Sequence, residues 1–264
     1  MPQIHLHAEP GDYAPVVLLP GDPLRATKMA DRFDGGLAST RLVNENRGLL
    51  GYTGTMDGVP VSVQTTMMGA PTTSIVMEEL INLGVTTFLR VGTCGGFGAL
   101  DIGDVVVPLA AASWIGVGSV FGGGEPTAPT ADLDVVNALA AASREQGLTT
   151  HVGPIVTSDV FYDPHPDGAI RWGRRGYLAA EMESAAIFLL AMRERAKGRS
   201  ARAGTILTVS DVIRDPSEVE GTHRLGKEDW FRPPEDEVNR RVDLTIGAAL
   251  VAAASLGRGV GAAV

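Results

Sequence analysis

Two arginines beside glycines, two carboxylates one residue apart, and an aspartate after an apolar run are the groups in this sequence best placed to do chemistry. Arg90 stands near the end of the β-rich run Val85 to Val91, which leads into Gly92-Thr93-Cys94-Gly95-Gly96. Residues this small are expected to leave the sheet as a turn and expose backbone N–H groups. An arginine fork and the Thr93 hydroxyl facing one crevice would suit phosphate or another small oxyanion. An ordinary strand-to-helix turn with a solvent-facing arginine has the same local sequence, and the stretch is neither the dinucleotide fingerprint nor a Walker loop. A second anion signal is Pro20-Gly-Asp-Pro-Leu-Arg25. Asp22 before Pro23 reads as the cap of a helix running to about Phe33. Gly21 would let the backbone approach an anion at that helix end, and Arg25 would add full charge to it. A plain capped helix with Arg25 in solvent is the competing reading.

Glu181-Met182-Glu183 closes a short apolar run. If the strand continues, both carboxylates point to one side and Met182 to the other. A carboxylate accepting two hydroxyl protons can hold a vicinal diol such as that of ribose, at about 1.5–3 kcal/mol per charge-assisted bond. The neighbours are Ala179-Ala180 and the apolar run Ala185 to Leu190. The pair is therefore expected to be buried, where carboxylates without partners are costly. Ser210-Asp211 follows the strand Thr205 to Val209 and supplies a candidate acid. An acid that protonates a leaving group contributes roughly 10²–10⁴-fold in rate. Helix capping is the alternative role for Asp211.

These groups need a scaffold that brings distant segments together. Val16 to Leu19 reads as a buried strand, and Gly48 to Thr55 with Val59 to Thr66 as a hairpin around Met56-Asp-Gly58, with Arg47 just ahead. Pro71 opens a helix reaching Gly84, with Met68 at its entrance. Further strands are expected at Val105 to Leu109 and Val152 to Thr157, the latter leading into Ser158-Asp-Val-Phe161. Helices are expected from Asp132 to Gly147, over Ser184 to Glu194, and from about Glu235 to Ser255, with Gly257 to Val264 frayed. Alternating strands and helices predict an α/β fold, a single domain over residues 1–264. Its central twisted sheet would be mixed and largely parallel, covered by helices on both sides. The candidate groups all fall at C-terminal ends of strands, where open α/β sheets bind ligands.

Composition narrows the classes further. A chain of 264 residues can bury a large core without staples. Cys94 is the one cysteine, which excludes an intrachain disulfide and a multi-cysteine zinc site and suits a reducing, cytoplasmic setting. The net charge of −9 argues against a nucleic-acid surface. The N-terminus shows no secretory pattern, and apolar runs such as Ala185 to Met192 are too short to span a bilayer, so no membrane partner is expected.

Pro20-Gly-Asp-Pro-Leu-Arg25, Asn46-Arg-Gly48, Met68-Gly69, Arg90-Val-Gly-Thr93, Ser158-Asp-Val-Phe161, Glu181-Met-Glu183 and Val209-Ser-Asp211 occur in that order. Together they resemble the bacterial purine nucleoside phosphorylase and uridine phosphorylase family over about residues 4 to 214. The resemblance implies phosphorolysis of a nucleoside to a free base and ribose 1-phosphate, with no metal or organic cofactor and with inorganic phosphate as a substrate. It implies that Gly21, Arg25, Arg90 and Thr93 hold the phosphate, with Arg47 donated by a neighbouring subunit. Met68, Met182 and Glu183 would hold the ribose, and the neighbour's His5 would meet the 5′-hydroxyl. Phe161, Glu181 and Ser210 would line the base site, and Asp211 would protonate purine N7. Sites shared across a dimer, and three dimers in a homohexamer, are also implied.

The segments Glu78 to Arg90 and Thr150 to Gly153 resemble uridine phosphorylases. Asp163 to Arg171, however, shows no Gln-x-Arg pair of the kind those enzymes use to hold a pyrimidine. An acid at Asp211 favours a purine, because uracil has no N7 to protonate. Thr93 stands where purine enzymes commonly carry serine, which keeps the hydroxyl. Either Arg214 or Arg224 could be a second base-side arginine. Uridine phosphorolysis stays as the alternative, followed by a hydrolytic nucleosidase and a non-catalytic nucleoside-binding protein.

Overall fold

The computed structural model describes residues 3–165, 167–213 and 235–260. Its first half carries β1 (Val16–Pro20), α1 (Pro23–Ala30), β2 (Arg41–Asn44), β3 (Gly51–Met56), β4 (Val59–Gln64), α2 (Ala70–Asn82) and β5 (Thr87–Phe97). Next come β6 (Val105–Trp114), α3 (Gly116–Phe121), α4 (Leu133–Glu145), β7 (Thr150–Ser158) and α5 (Ile170–Gly173). The last elements are β8 (Ala179–Glu181), α6 (Ser184–Ala196), β9 (Arg202–Ile213) and α7 (Glu235–Val260). The strands form one α/β sheet in the order β2-β3-β4-β1-β5-β8-β7-β6-β9, and β5 also pairs with β9. That last pairing closes β5, β8, β7, β6 and β9 into a ring of five strands. The pairs β1–β4, β1–β5, β5–β9, β6–β7 and β7–β8 are parallel, so the sheet is mixed and mostly parallel as expected.

Two apolar layers explain why both faces need helices. Met77 and Leu80 of α2 join Ile187 and Phe188 of α6 in one cluster. Met29 of α1, Leu139 of α4 and Ile246 of α7 belong to the other. Every residue of β1 is buried, as a strand covered on both sides must be. The expected hairpin forms with Asp57 and Gly58 at φ 52° and 73°, the left-handed pair that suits a two-residue loop between twisted strands. Its first strand begins at Gly51, because Arg47 and Gly48 also take positive φ, 58° and 72°, and turn the chain sharply.

Three expectations are corrected. Gly92 to Gly96 is no turn: β5 continues through it to Phe97, held by β9 along one edge and by β8 along the other. The glycines are there for close packing, since a Cβ on Gly96 would meet Val209 Cγ1 at 2.9 Å and Leu100 Cβ at 3.1 Å. Likewise β9 runs past Asp211 to Ile213, so Ser210 and Asp211 lie inside a strand. The helix α7 extends through 257–260, where fraying was expected, and Gly257 lets it press on β4, a Cβ there falling 2.5 Å from Val59 Cγ1. By length and composition alone, Val238–Gly259 could cross a membrane, with mean hydropathy 1.3 over its apolar window. It packs instead as a core helix, burying Ile246, Ala249, Leu250 and Ala253. The short elements β2, α3 and α5 had no periodic signal to announce them. The expectations for Arg214, Arg224 and residues 261–264 fall outside the described residues.

Candidate active site

Arg90 is the centre of the site. It sits in β5 at 5% exposure, opposite Leu19 of β1 and Thr205 of β9. Nε donates to Glu181 Oε2 at 2.8 Å, and Nη2 pairs with Glu183 Oε2 at 2.5 Å. Burial disfavours its charge, but Glu183 and Glu181 outweigh that and hold the guanidinium above its ordinary pKa. Nη1 lies outside both pairs, beside Gly92, where a Cβ would come within 3.0 Å of it.

The two glutamates are held differently. Strand β8 stops at Glu181, and Glu183 is the residue ahead of α6, so the same-side placement does not arise from strand alternation. Glu181 accepts from Arg90, from Thr157 Oγ1 at 2.5 Å, and from the backbone N–H groups of Glu183 and Ser184 at 3.0 Å. Its carboxylate is fully enclosed, and each oxygen accepts at least two hydrogen bonds. It is the counter-ion that fixes Arg90. Glu183 receives the Gly69 N–H at 2.5 Å, and it keeps acceptor capacity on both oxygens. Burial raises its pKa, with Arg90 opposing and Glu181 adding to the shift. Thr157 also accepts from the Ala185 N–H at 3.0 Å, so it braces both Glu181 and the start of α6. Thr157→Val keeps the shape and strands both partners. It is expected to destabilise the fold by about 1–3 kcal/mol, read as a lower melting temperature.

Arg25 reaches the same place from α1. Pro20 pairs with Val91, so the loop that follows β1 runs beside Gly92, and Arg25 Nη1 donates to Val91 O at 3.4 Å. Asp22 caps α1 through the Leu24 N–H at 2.9 Å, as the sequence suggested. Burial pulls the Arg25 pKa down, Asp22 opposes this, and the positive charge of Arg90 lowers it further. Two like charges within electrostatic reach, each with unused N–H donors, form a site that favours an anion. Gly21 is required by the approach of Met67, whose carbonyl oxygen would lie 3.0 Å from a Cβ there. Thr93 is half-buried in β5, three residues past Arg90.

The candidate acid is set by a bulge. In the β5–β9 ladder Cys94 faces Val209 and Gly95 faces Asp211, so Ser210 is the extra residue. Bulges re-aim side chains in this way beside active sites. Asp211 approaches β5 so closely that a Cβ on Gly95 would meet its Oδ2 at 2.9 Å. Ser210 Oγ lies 2.8 Å from Asp211 Oδ1 and 3.3 Å from Cys94 O. Its hydroxyl is thus engaged with the acid and the strand. The thiol of Cys94 is pushed well up by burial and by Asp211, so it stays protonated.

The remaining predicted residues lie at the rim or apart. Met68 and Phe161 are largely exposed, Met182 is half-buried beside both glutamates, and Phe161 packs edge-on against Tyr162 at 5.0 Å between ring centroids. His5 and Arg47 form their own unit. Asn46 Nδ2 donates to His5 O at 2.9 Å, and Arg47 is exposed on the next residue. Among the described residues no hydrogen bond or ion pair joins either of them to Arg25 or Arg90. Sequence reasoning missed Thr157, Asn46 and Glu79 as supports. The adjacent carboxylates Glu78 and Glu79, on a helix whose other residues are all uncharged, were the available signal for Glu79.

The family model described as phosphorylase superfamily matches residues 15–241. A purine nucleoside phosphorylase DeoD-type of Geobacillus sp. (strain WCH70) is 40% identical over 84% of this chain and 91% of its own length. The protein of the same name from Clostridium perfringens is 39% identical over 84% of this chain and 92% of its own length. The one from Jannaschia sp. (strain CCS1) is 41% identical over 80% and 87%. With the family model spanning the sheet and every segment of the arginine–glutamate cluster, the chain belongs to the phosphorylase superfamily.

Proposed function

We propose that the protein cleaves purine nucleosides with inorganic phosphate, releasing the free base and ribose or deoxyribose 1-phosphate. The observation that carries this is the meeting of Arg25 and Arg90 beside Gly92, with Glu183 and Asp211 on adjoining strands and turns. The relatives at about 40% identity bear the name of that activity.

Arg25, Arg90 Nη1 and Thr93 hold phosphate, with Arg47 of a second copy completing the charge. Glu183 accepts from the ribose hydroxyls, and Met68 and Met182 flank the sugar, with Phe161 against the base. As the C1′–N9 bond breaks, its electron pair moves into the base and positive charge builds on the sugar. A phosphate oxygen on the opposite face stabilises that charge and forms the new C1′–O bond. Asp211 gives its proton to N7, so the base leaves neutral. No metal or organic cofactor is needed for this sequence. The reading places the enzyme in the cytoplasm as a homohexamer of three dimers, each dimer exchanging His5 and Arg47.

The test is to offer inosine, adenosine and uridine with and without phosphate and to follow release of base. Purine nucleosides should be cleaved only when phosphate is present. Cleavage of uridine alone overturns the substrate, and cleavage without phosphate overturns the reaction class in favour of a nucleosidase.

A further inference from the structure

The carboxylate of Glu79, 7% exposed on α2, has no place in the chemistry above. It is spent entirely on the start of the chain. Glu79 Oε2 accepts from the Leu6 N–H at 2.7 Å and the His5 N–H at 3.0 Å, and Oε1 lies 2.7 Å from His5 Nδ1. One turn further along the helix, Asn82 Nδ2 donates to Gln3 Oε1 at 3.1 Å. Leu6 is fully buried beneath this grip, so the segment is anchored by packing as well as by hydrogen bonds.

The Glu79 carboxylate takes up both backbone N–H groups and faces His5 Nδ1, and a carboxylate can only accept. Nδ1 of His5 must then carry a proton toward Glu79, and in the neutral imidazole this leaves Nε2, across the ring, as a lone-pair acceptor. The ring is not sealed in: its side chain is 27% exposed, while the His5 carbonyl is tied to Asn46 beside Arg47. We propose that Glu79 is a positioning residue that locks His5 in the Nδ1–H tautomer, so that Nε2 accepts a hydrogen bond from the 5′-hydroxyl of a nucleoside bound by a second copy. This rests on the phosphorolysis reading above. The hydroxyl would gain one directed bond, and a substrate lacking it would gain nothing from the lock.

Two measurements on the full chain test this. In ¹⁵N-histidine spectra near neutral pH, with the His5 signal assigned by its loss in His5→Ala, the wild type should show a protonated Nδ1 and an unprotonated Nε2. Glu79→Gln, which keeps the packing, should lose that preference. In kinetics, Glu79→Gln should lower kcat/KM for inosine about tenfold and leave 5′-deoxyinosine within about twofold of wild type. His5→Ala should give the same selective loss, and adding Glu79→Gln to it should bring no further change in the ratio. A wild-type His5 protonated on Nε2 overturns the lock, even if the variant does not fold. Equal losses on both substrates also overturn it, since they mark a general scaffold role. Absence of turnover of any nucleoside by the wild type overturns the functional reading and the hydroxyl's part in it, while the tautomer measurement judges Glu79 separately.

Discussion

Replacing Arg90 by methionine is expected to abolish phosphorolysis and to lower stability at the same time. The substitution leaves Glu181 and Glu183 buried with no opposite charge between them. Breaking a buried pair by removing one partner costs about 3–5 kcal/mol. For a chain of this size each kcal/mol shifts the melting temperature by roughly 2–4 °C, so a fall of about 6–20 °C is expected. Arg90→Lys separates the two effects. A lysine keeps the charge but cannot reach both glutamates and the anion with one flat fork. It should retain most of the stability and still lose about 10²-fold in kcat/KM for phosphate. Full stability in Arg90→Met would mean that the glutamates are not held by this arginine.

Asp211→Asn should slow cleavage of inosine by about 10²-fold or more in kcat with little change in KM. The amide keeps the shape beside Gly95 and the bond from Ser210 but has no proton to deliver. A substrate that needs no proton gives the sharper reading. A nucleoside methylated at N7 already carries positive charge on the base, so the wild type and Asp211→Asn should cleave it at rates within a few-fold. A loss as large as that for inosine would show that Asp211 serves to hold the site together, and an unchanged rate on inosine would remove it from the mechanism.

Much of the site could be read in the chain, and what could not shares one cause. Arg25 and Asp22 were legible because a cap, a proline and a helix form within four residues. Arg90, Thr93, Glu183 and Asp211 were legible as charged or hydroxyl groups beside apolar strands. The glycines after Arg90 were misjudged because small residues announce a turn locally. Their reason for being small lies in Val209, Leu100 and Asp211, far off in sequence. Glu181 was recognised as a buried acid, but its partners Thr157 and Arg90 could not be read from its neighbours in sequence. The register that makes Ser210 a bulge also depends on a strand more than a hundred residues away. Periodicity reports which face is buried and is silent about what it is buried against.

The ring of five strands has a consequence for how such a chain is made. Its closing member is β9, whose Val209 pairs with Cys94 of β5, more than a hundred residues earlier in the chain. During synthesis Arg25 and Arg90 emerge early, whereas Asp211 arrives only with β9 and must slot in beside β5. Such remote pairing is slow to form. Products of premature termination before residue 202 should therefore be inert as catalysts, so that base release reports arrival of the last strand during refolding.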